Sequence, residues 1–236
     1  MFKLALGAGH GINTSGKRCL KSLDPNETRE WWLNDRICDY VEDLLKKYEG
    51  VEVLRLDDSD DGKDNPALDA RVKAANTWGA NYYLSVHHNA GVNGGTGGGI
   101  VVYRYPGSKG ETVKWQEAMY NALIKHTGLK GNRSEPMAES NLYVLRKTKM
   151  PATLLELGFM DSKTDVPVIL TDKYAKSCAE AIVEVIANRV GLKKKVAKTT
   201  GNLYTVQLGA FSNKANANKL ASELKKQGYQ VYVTTK

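Results

Sequence analysis

Cysteine is scarce in this chain, with three in 236 residues. Cys19, Cys38 and Cys178 are odd in number and lack C-x-x-C spacing, which argues against a disulfide framework or a thiolate motif. Cys38 and Cys178 fall on apolar helix stripes, the setting of buried free thiols. Long apolar runs are missing too: none approaches the ~18 residues that cross a bilayer. The opening MFKLALGAGHG has no basic segment, long apolar stretch and small-residue cleavage site in succession, so it reads as a first strand and not as a secretory leader. The turn after that strand lacks the third glycine of a dinucleotide site: Gly7 and Gly9 are present, but Ile12 stands where the fingerprint needs glycine. The acidic loop 57–65, DDSDDGKDN, lacks the closing glutamate of a calcium loop and reads as solvated. Acids nearly vanish from the C-terminal stretch. From Lys193 onward there are nine lysines and one acid, Glu223, so this stretch carries the whole net charge of +8 and residues 1–192 are balanced. A neutral body with a basic tail predicts an anionic partner for the tail.

What is present is organised around Asn81–Ala90, NYYLSVHHNA. Tyr82, Tyr83, Leu84 and Val86 predict a strand buried on both faces. It ends in two histidines and an asparagine before the glycine-rich segment 91–99. Open α/β sheets bind ligands at such carboxyl ends. Side chains alternate along a strand, so one histidine points into a site and the other away. His87 is the one expected to point in, as a metal ligand. His10 ends the first strand, Phe2–Leu6, in the same setting. A helix from about Asn26, with Ile37, Val41, Leu44 and Leu45 on its apolar stripe, starts near both strand ends. It brings two acids, of which Glu30 can aim inward and Glu27 is the alternative ligand. His126, at the end of the helix 111–126, is expected to serve its helix's dipole.

Further strands are predicted over Val51–Leu56, Gly99–Tyr105, Leu142–Leu145 and Ala152–Leu157, and further helices over Leu68–Trp78 and Asp172–Val190. Glu156 sits among apolar residues in the strand ATLLEL. No cation neighbours it in sequence, so desolvation should raise its pKa towards the range useful for acid/base chemistry. The fold predicted is α/β: a single open, mostly parallel twisted sheet flanked by helices, over residues 1–190. A basic linker (191–202) then leads to a small βαβ segment (203–236).

In order along the chain, GAGHG, an acid opening the next helix, R-x-x-x-A-N-x-W-G-A-x-x-x-L-S-V-H-x-N and M-P-A-T-L-L-E-L-G-F resemble the zinc-dependent N-acetylmuramoyl-L-alanine amidases. The resemblance covers about residues 1–190. It implies zinc ligands at His10, Glu30 and His87, and a catalytic role for Glu156. Asn89 and Arg71 fall on family positions that orient substrate or brace the loop, bracing being the expected role of Arg71. His88 departs from the family pattern, standing where a small or apolar residue is usual. Two imidazoles and one carboxylate leave a fourth zinc position for water. The implied reaction is attack of zinc-bound water on the amide between the lactyl group of muramic acid and L-alanine, with Glu156 moving the proton.

Residues 203–233 resemble half of a SPOR (sporulation-related repeat) module, a peptidoglycan-binding βαββαβ sheet, with strands around Tyr204–Leu208 and Tyr229–Val233 flanking a helix. The implied partner is peptidoglycan, with no nucleic acid and no membrane insertion, and a homodimer could form by two tails completing one module. The implied setting is that of an endolysin or autolysin made in the cytoplasm and released to the wall by lysis or a pore-forming partner. The competing readings are a non-catalytic binder of wall glycan and a zinc carboxypeptidase-like peptidase.

Overall fold

The computed structural model describes residues 1–57, 60–195, 207–229 and 231–234. They fall into two units, Met1–Lys195 and Val196–Lys236. In the first, the chain runs β1 (Phe2–Ala8), α1 (Glu30–Leu45), β2 (Val51–Arg55), α2 (Leu68–Trp78), β3 (Tyr82–Asn89), β4 (Ile100–Arg104) and α3 (Glu111–Thr127). It continues through β5 (Met137–Glu139), α4 (Tyr143–Lys147), β6 (Ala152–Phe159), α5 (Val166–Ile169) and α6 (Asp172–Val190). The strands form one sheet in the order β2-β1-β3-β6-β4-β5. β2, β1, β3 and β6 are mutually parallel, whereas β4 pairs antiparallel with β6 and β5 pairs parallel with β4. The open, mostly parallel α/β sheet is as predicted.

Strand alternation divides the core in two. Leu4, Leu6, Tyr82, Leu84, Val86, Leu155 and Leu157 face the layer built by α1, α3 and α6. Ala5, Tyr83, Ala152 and Leu154 face α2 and α4, with Val72 and Leu145. That second layer is short: its helices have 11 and five residues. The apolar contacts on this face stop at Tyr83 and Leu154. Beyond them on the same face come Ser85, His87 and Glu156, because positions two apart share a face. A polar cluster is thus left at the carboxyl ends of the two central strands.

Three sequence expectations change in the first unit. α1 begins at Glu30 and not near Asn26. The Asp24 carboxylate accepts from the backbone N–H groups of Asn26 and Thr28 at 3.1 and 2.7 Å, and Glu27 is left-handed (φ 49°), so residues 24–29 form a loop. Residues 142–145 are not a strand: Tyr143–Lys147 is a helical turn in which Val144 and Leu145 are buried. Burying both adjacent side chains against the α2 side of the core overrides the β-propensity of Tyr-Val. Asp57 is not solvated; its side chain is fully buried against Arg55 (2.8 Å) and accepts from Ala8 N at 2.9 Å. The cysteines are free and buried, as predicted.

Residues 193–195 stay with the first unit, where Lys194 pairs with Tyr48 and Glu49 N donates to Lys193 O at 2.8 Å. In the second unit, α7 (Lys214–Lys226) is capped by Asn213, whose Oδ1 accepts from Ala215 N at 2.7 Å. The flanking strands differ from expectation: 204–206 lie outside the described residues, and 207–208 and 231–233 are not in strands. The two strands of such a half-module are not neighbours, and an isolated strand leaves its backbone groups unpaired. Leu208, Phe211, Tyr229, Tyr232 and Val233 are exposed.

Candidate active site

The site forms where β1, β3 and β6 end and α1 begins. The β1 strand passes through Gly9 to His10, which is itself left-handed (φ 65°). Gly9 has a packing reason to be glycine: a Cβ there would overlap the His87 imidazole. Arg71, reaching up from α2, fixes this turn. It donates to Ala8 O (2.6 Å), His10 O (3.2 Å), Pro66 O (3.0 Å) and Asn65 Oδ1 (3.1 Å). Its guanidinium is buried among these partners.

His10, Glu30 and His87 converge, each offering a ligand atom, and these atoms all lie within 4.8 Å of one another. Glu30 Oε1 is 3.5 Å from His10 Nε2 and 3.1 Å from His87 Nδ1. It also accepts from the backbone N–H of His88 (3.2 Å) and from Asn34 Nδ2 (3.5 Å). The other oxygen, Oε2, is buried without a hydrogen-bond partner among the described residues, with Lys17 Nζ 3.6 Å away. The far nitrogen of His87, Nε2, is 3.1 Å from Ser85 Oγ. Glu27 is elsewhere, paired with Arg18 at 3.1 Å. Of the two acids that the sequence leaves open, Glu30 is the one beside the histidines.

His88 takes the opposite face, as alternation requires. It is buried against α1, with Nδ1 2.7 Å from Asn34 Oδ1. Asn34 Nδ2 in turn donates to Gly9 O at 3.2 Å. His126 is outside the site, 2.8 Å from Glu184. Asn89 follows an irregularity in the β3–β6 pairing, and its Oδ1 accepts from Ala90 N at 2.8 Å.

Glu156 stands directly across from His87 in the β3–β6 register. Its Oε2 is buried with no hydrogen-bond partner among the described residues. Burial pushes its pKa up to about 7; the Glu30 charge acts in the same direction, and His87 and Lys17 oppose it. His10 moves the other way, to about 4, chiefly through burial against the opposing pull of Glu30. Burial also opposes ionisation of Glu30, but the His87 hydrogen bond and the His87, His10 and Lys17 charges hold its carboxyl down at about 2. The cluster therefore offers an ionised carboxylate, a neutral His10 imidazole and, on the next strand, a carboxyl group poised near neutrality.

Several contributors escape the sequence reading. Ser85 could have been found, since it lies two residues before His87 on the same face. Lys17 lies in an irregular loop with no periodic signal. Asp161 holds the glycine-rich segment: its Oδ2 accepts from the N–H groups of Gly91, Val92 and Asn93 at 2.7–2.9 Å.

Comparison with known proteins identifies the family of this fold. The N-acetylmuramoyl-L-alanine amidase family matches residues 4–188, and the SPOR domain family matches residues 200–236. The chain is 34% identical to the N-acetylmuramoyl-L-alanine amidase CwlM of Bacillus licheniformis, over 99% of this chain and 85% of that one. It is 33% identical to a sporulation-specific N-acetylmuramoyl-L-alanine amidase of Bacillus subtilis, over 100% and 86%. The crystal structure of an N-acetylmuramoyl-L-alanine amidase from Clostridium difficile 630 superposes with a TM-score of 0.71 at 25% identity, covering 80% of this chain and 97% of that one. The matched family takes in all six strands except the first two residues of β1, and every residue of the cluster, and the chain belongs to the N-acetylmuramoyl-L-alanine amidases, enzymes that hydrolyse peptidoglycan at the bond between muramic acid and L-alanine.

Proposed function

We propose that His10, Glu30 and His87 hold a catalytic zinc ion and that Glu156 is the acid/base of the amidase reaction. The observation that carries this reading is the convergence of three ligand atoms within 4.8 Å beside an unpartnered carboxylate oxygen. Two imidazoles and one carboxylate suit zinc and leave a position open for substrate chemistry. The ion, when bound, supplies Lewis acidity towards the amide carbonyl and the attacking water. Glu156, one strand away and kept near neutrality by burial, accepts the proton of the attacking water and delivers it to the departing L-alanine amine. Ser85 holds the His87 ring from its far nitrogen, and Arg71 braces the turn that presents His10 and makes no substrate contact. Asn89, at the strand end beside the site, is the residue assigned to substrate orientation.

The test is metal content. His87→Ala should lose zinc and activity, whereas His88→Ala should retain zinc because His88 faces α1. Zinc retained in His87→Ala and lost in His88→Ala would refute the ligand set. Mass spectrometry of digested muropeptides separates amidase cleavage from a peptidase acting within the stem.

The catalytic domain, expected over residues 1–190, then extends to Lys195, with the rest of the stretch to 202 as linker and 203–236 as a wall-binding segment whose basic charge suits an anionic polymer. Among the described residues no helix is long and apolar enough to cross a membrane. The role is that of an endolysin or an autolysin, released to the wall by lysis or a pore-forming partner. The exposed apolar residues of the tail suit pairing of two tails in a homodimer. Light scattering should then give a dimer for the full chain and a monomer for residues 1–195; monomers in both would exclude the exchange.

A further inference from the structure

We propose that Arg133 is a specificity-determining residue, its guanidinium receiving a carboxylate of the stem peptide beyond the L-alanine whose amide is cleaved. The proposal rests on the amidase activity and not on the metal assignment.

Topology puts Arg133 at the right end of the sheet. β4 runs antiparallel to β6, with Ile100 beside Leu157, so the segments entering β4 and its parallel neighbour β5 lie at the carboxyl ends of β3 and β6. Those segments are locked together: Gly98 N donates to Asn132 Oδ1 at 3.0 Å, and Ile100 N to Leu129 O at 3.1 Å. Gly99 and Gly131 approach too closely to admit a Cβ. This seats the exposed Arg133 over the buried ring of Phe159, with Cζ 5.3 Å from the ring centroid. Phe159 pairs with Asn89, two residues past His87, whereas Glu156 pairs with His87 itself. At ~3.3 Å per residue, the backbone that carries Phe159 therefore lies about 7 Å beyond that of Glu156, towards the open end of the sheet. That is the reach of a few peptide residues past the scissile amide.

Chemistry favours a carboxylate as its ligand. The guanidinium has no acidic partner among the described residues. Lys17 is engaged with Glu30, and Arg71 is enclosed by its backbone partners, so neither competes for this ligand. Contact with the Phe159 ring restricts the guanidinium, which lowers the ordering cost of a bidentate contact. A carboxylate on a stem residue after L-alanine matches the guanidinium in charge and planar geometry, as a neutral amide does not.

Two muropeptides decide the matter, identical except that the second stem residue bears a free carboxylate in one and an amidated carboxylate in the other. The wild type should cleave the free-carboxylate form with a kcat/KM about tenfold or more higher, the size of one charge-assisted contact. Arg133→Gln should abolish that preference by raising KM for the anionic form alone, and Arg133→Lys should keep part of it. In the wild type, added salt should raise KM for the anionic substrate and not for the amidated one, a readout that needs no variant. Equal rates on both substrates with wild-type enzyme would overturn the proposal. So would an Arg133→Gln enzyme that still discriminates, or one that loses both substrates equally, which would leave Arg133 as a cover for Phe159. Failure of the wild type on both substrates would instead count against the amidase activity.

Discussion

Replacing Gly9 with alanine should strip the site of metal while leaving the fold standing. A Cβ at this position would meet Cε1, Nδ1 and Nε2 of His87, all well under 3.0 Å away. Carbon atoms rest at ~3.5–4.0 Å, so the imidazole must retreat by about 1 Å or more. A ligand position is tolerated only within about 0.2 Å. The same retreat breaks the contacts of His87 with Glu30 (3.1 Å) and Ser85 (3.1 Å), which otherwise hold the ring. One extra methyl in a packed site destabilises by ~1–3 kcal/mol, which a protein of this size survives. Gly7→Ala is the matched control, since its Cβ would lie 3.3 Å from Leu56 Cβ and 3.5 Å from Arg71 Nη1, with no histidine near. Zinc affinity, measured by competition with a chromophoric chelator, should fall at least about 100-fold in Gly9→Ala and less than about tenfold in Gly7→Ala. Wild-type affinity in a folded Gly9→Ala protein would show that His87 is not a ligand in this geometry.

Glu156→Gln keeps the shape of the side chain and removes the proton carrier, so it should retain zinc and lose ~10²–10⁴-fold in turnover; a rate within threefold of wild type would end the acid/base assignment. Ser85→Ala should weaken zinc binding by ~10–100-fold with little change in thermal midpoint, because it frees the far nitrogen of His87. An unchanged affinity would make Ser85 a bystander. His88 should confer acid sensitivity on the metal-free fold. Burial lowers its pKa from 6.5 to about 3, with Arg36 and His87 adding to burial and Glu30 opposing it. The unfolded chain therefore binds a proton that the folded one refuses, and this contribution, complete above pH 6.5, falls by ~1.4 kcal/mol per pH unit down to about 3. Glu156, whose pKa is raised, pulls the opposite way between about 4.5 and 7. The measurement is accordingly the difference in urea stability between wild type and His88→Asn at pH 7, 6 and 5, which should shrink as pH falls; a difference independent of pH would mean that His88 is not held neutral.

The parts of this site legible in the sequence are those governed by short periods. Period-two alternation separates His87 from His88, and the structure sets them on opposite faces, one against Glu30 and the other against Asn34. The same rule places Glu156 on the face of His87, since Leu155 and Leu157 face α1, α3 and α6. Illegible parts depend on where unrelated segments meet. Glu27 and Glu30 differ in role because Asp24 ties residues 24–28 into a turn and delays the helix, and no periodicity precedes the first helical residue. Gly9 reads as a turn glycine, but its necessity comes from a ring on a strand 78 residues further along. The strand expected at 142–145 fails for the same reason, because the α2 layer that buries Val144 and Leu145 is not written in those residues. The site itself shares this dependence. Its opening exists because α2 and α4 are too short to cover the ends of β3 and β6, and lengthening either helix across Ser85 and His87 would bury the polar groups on which the chemistry depends.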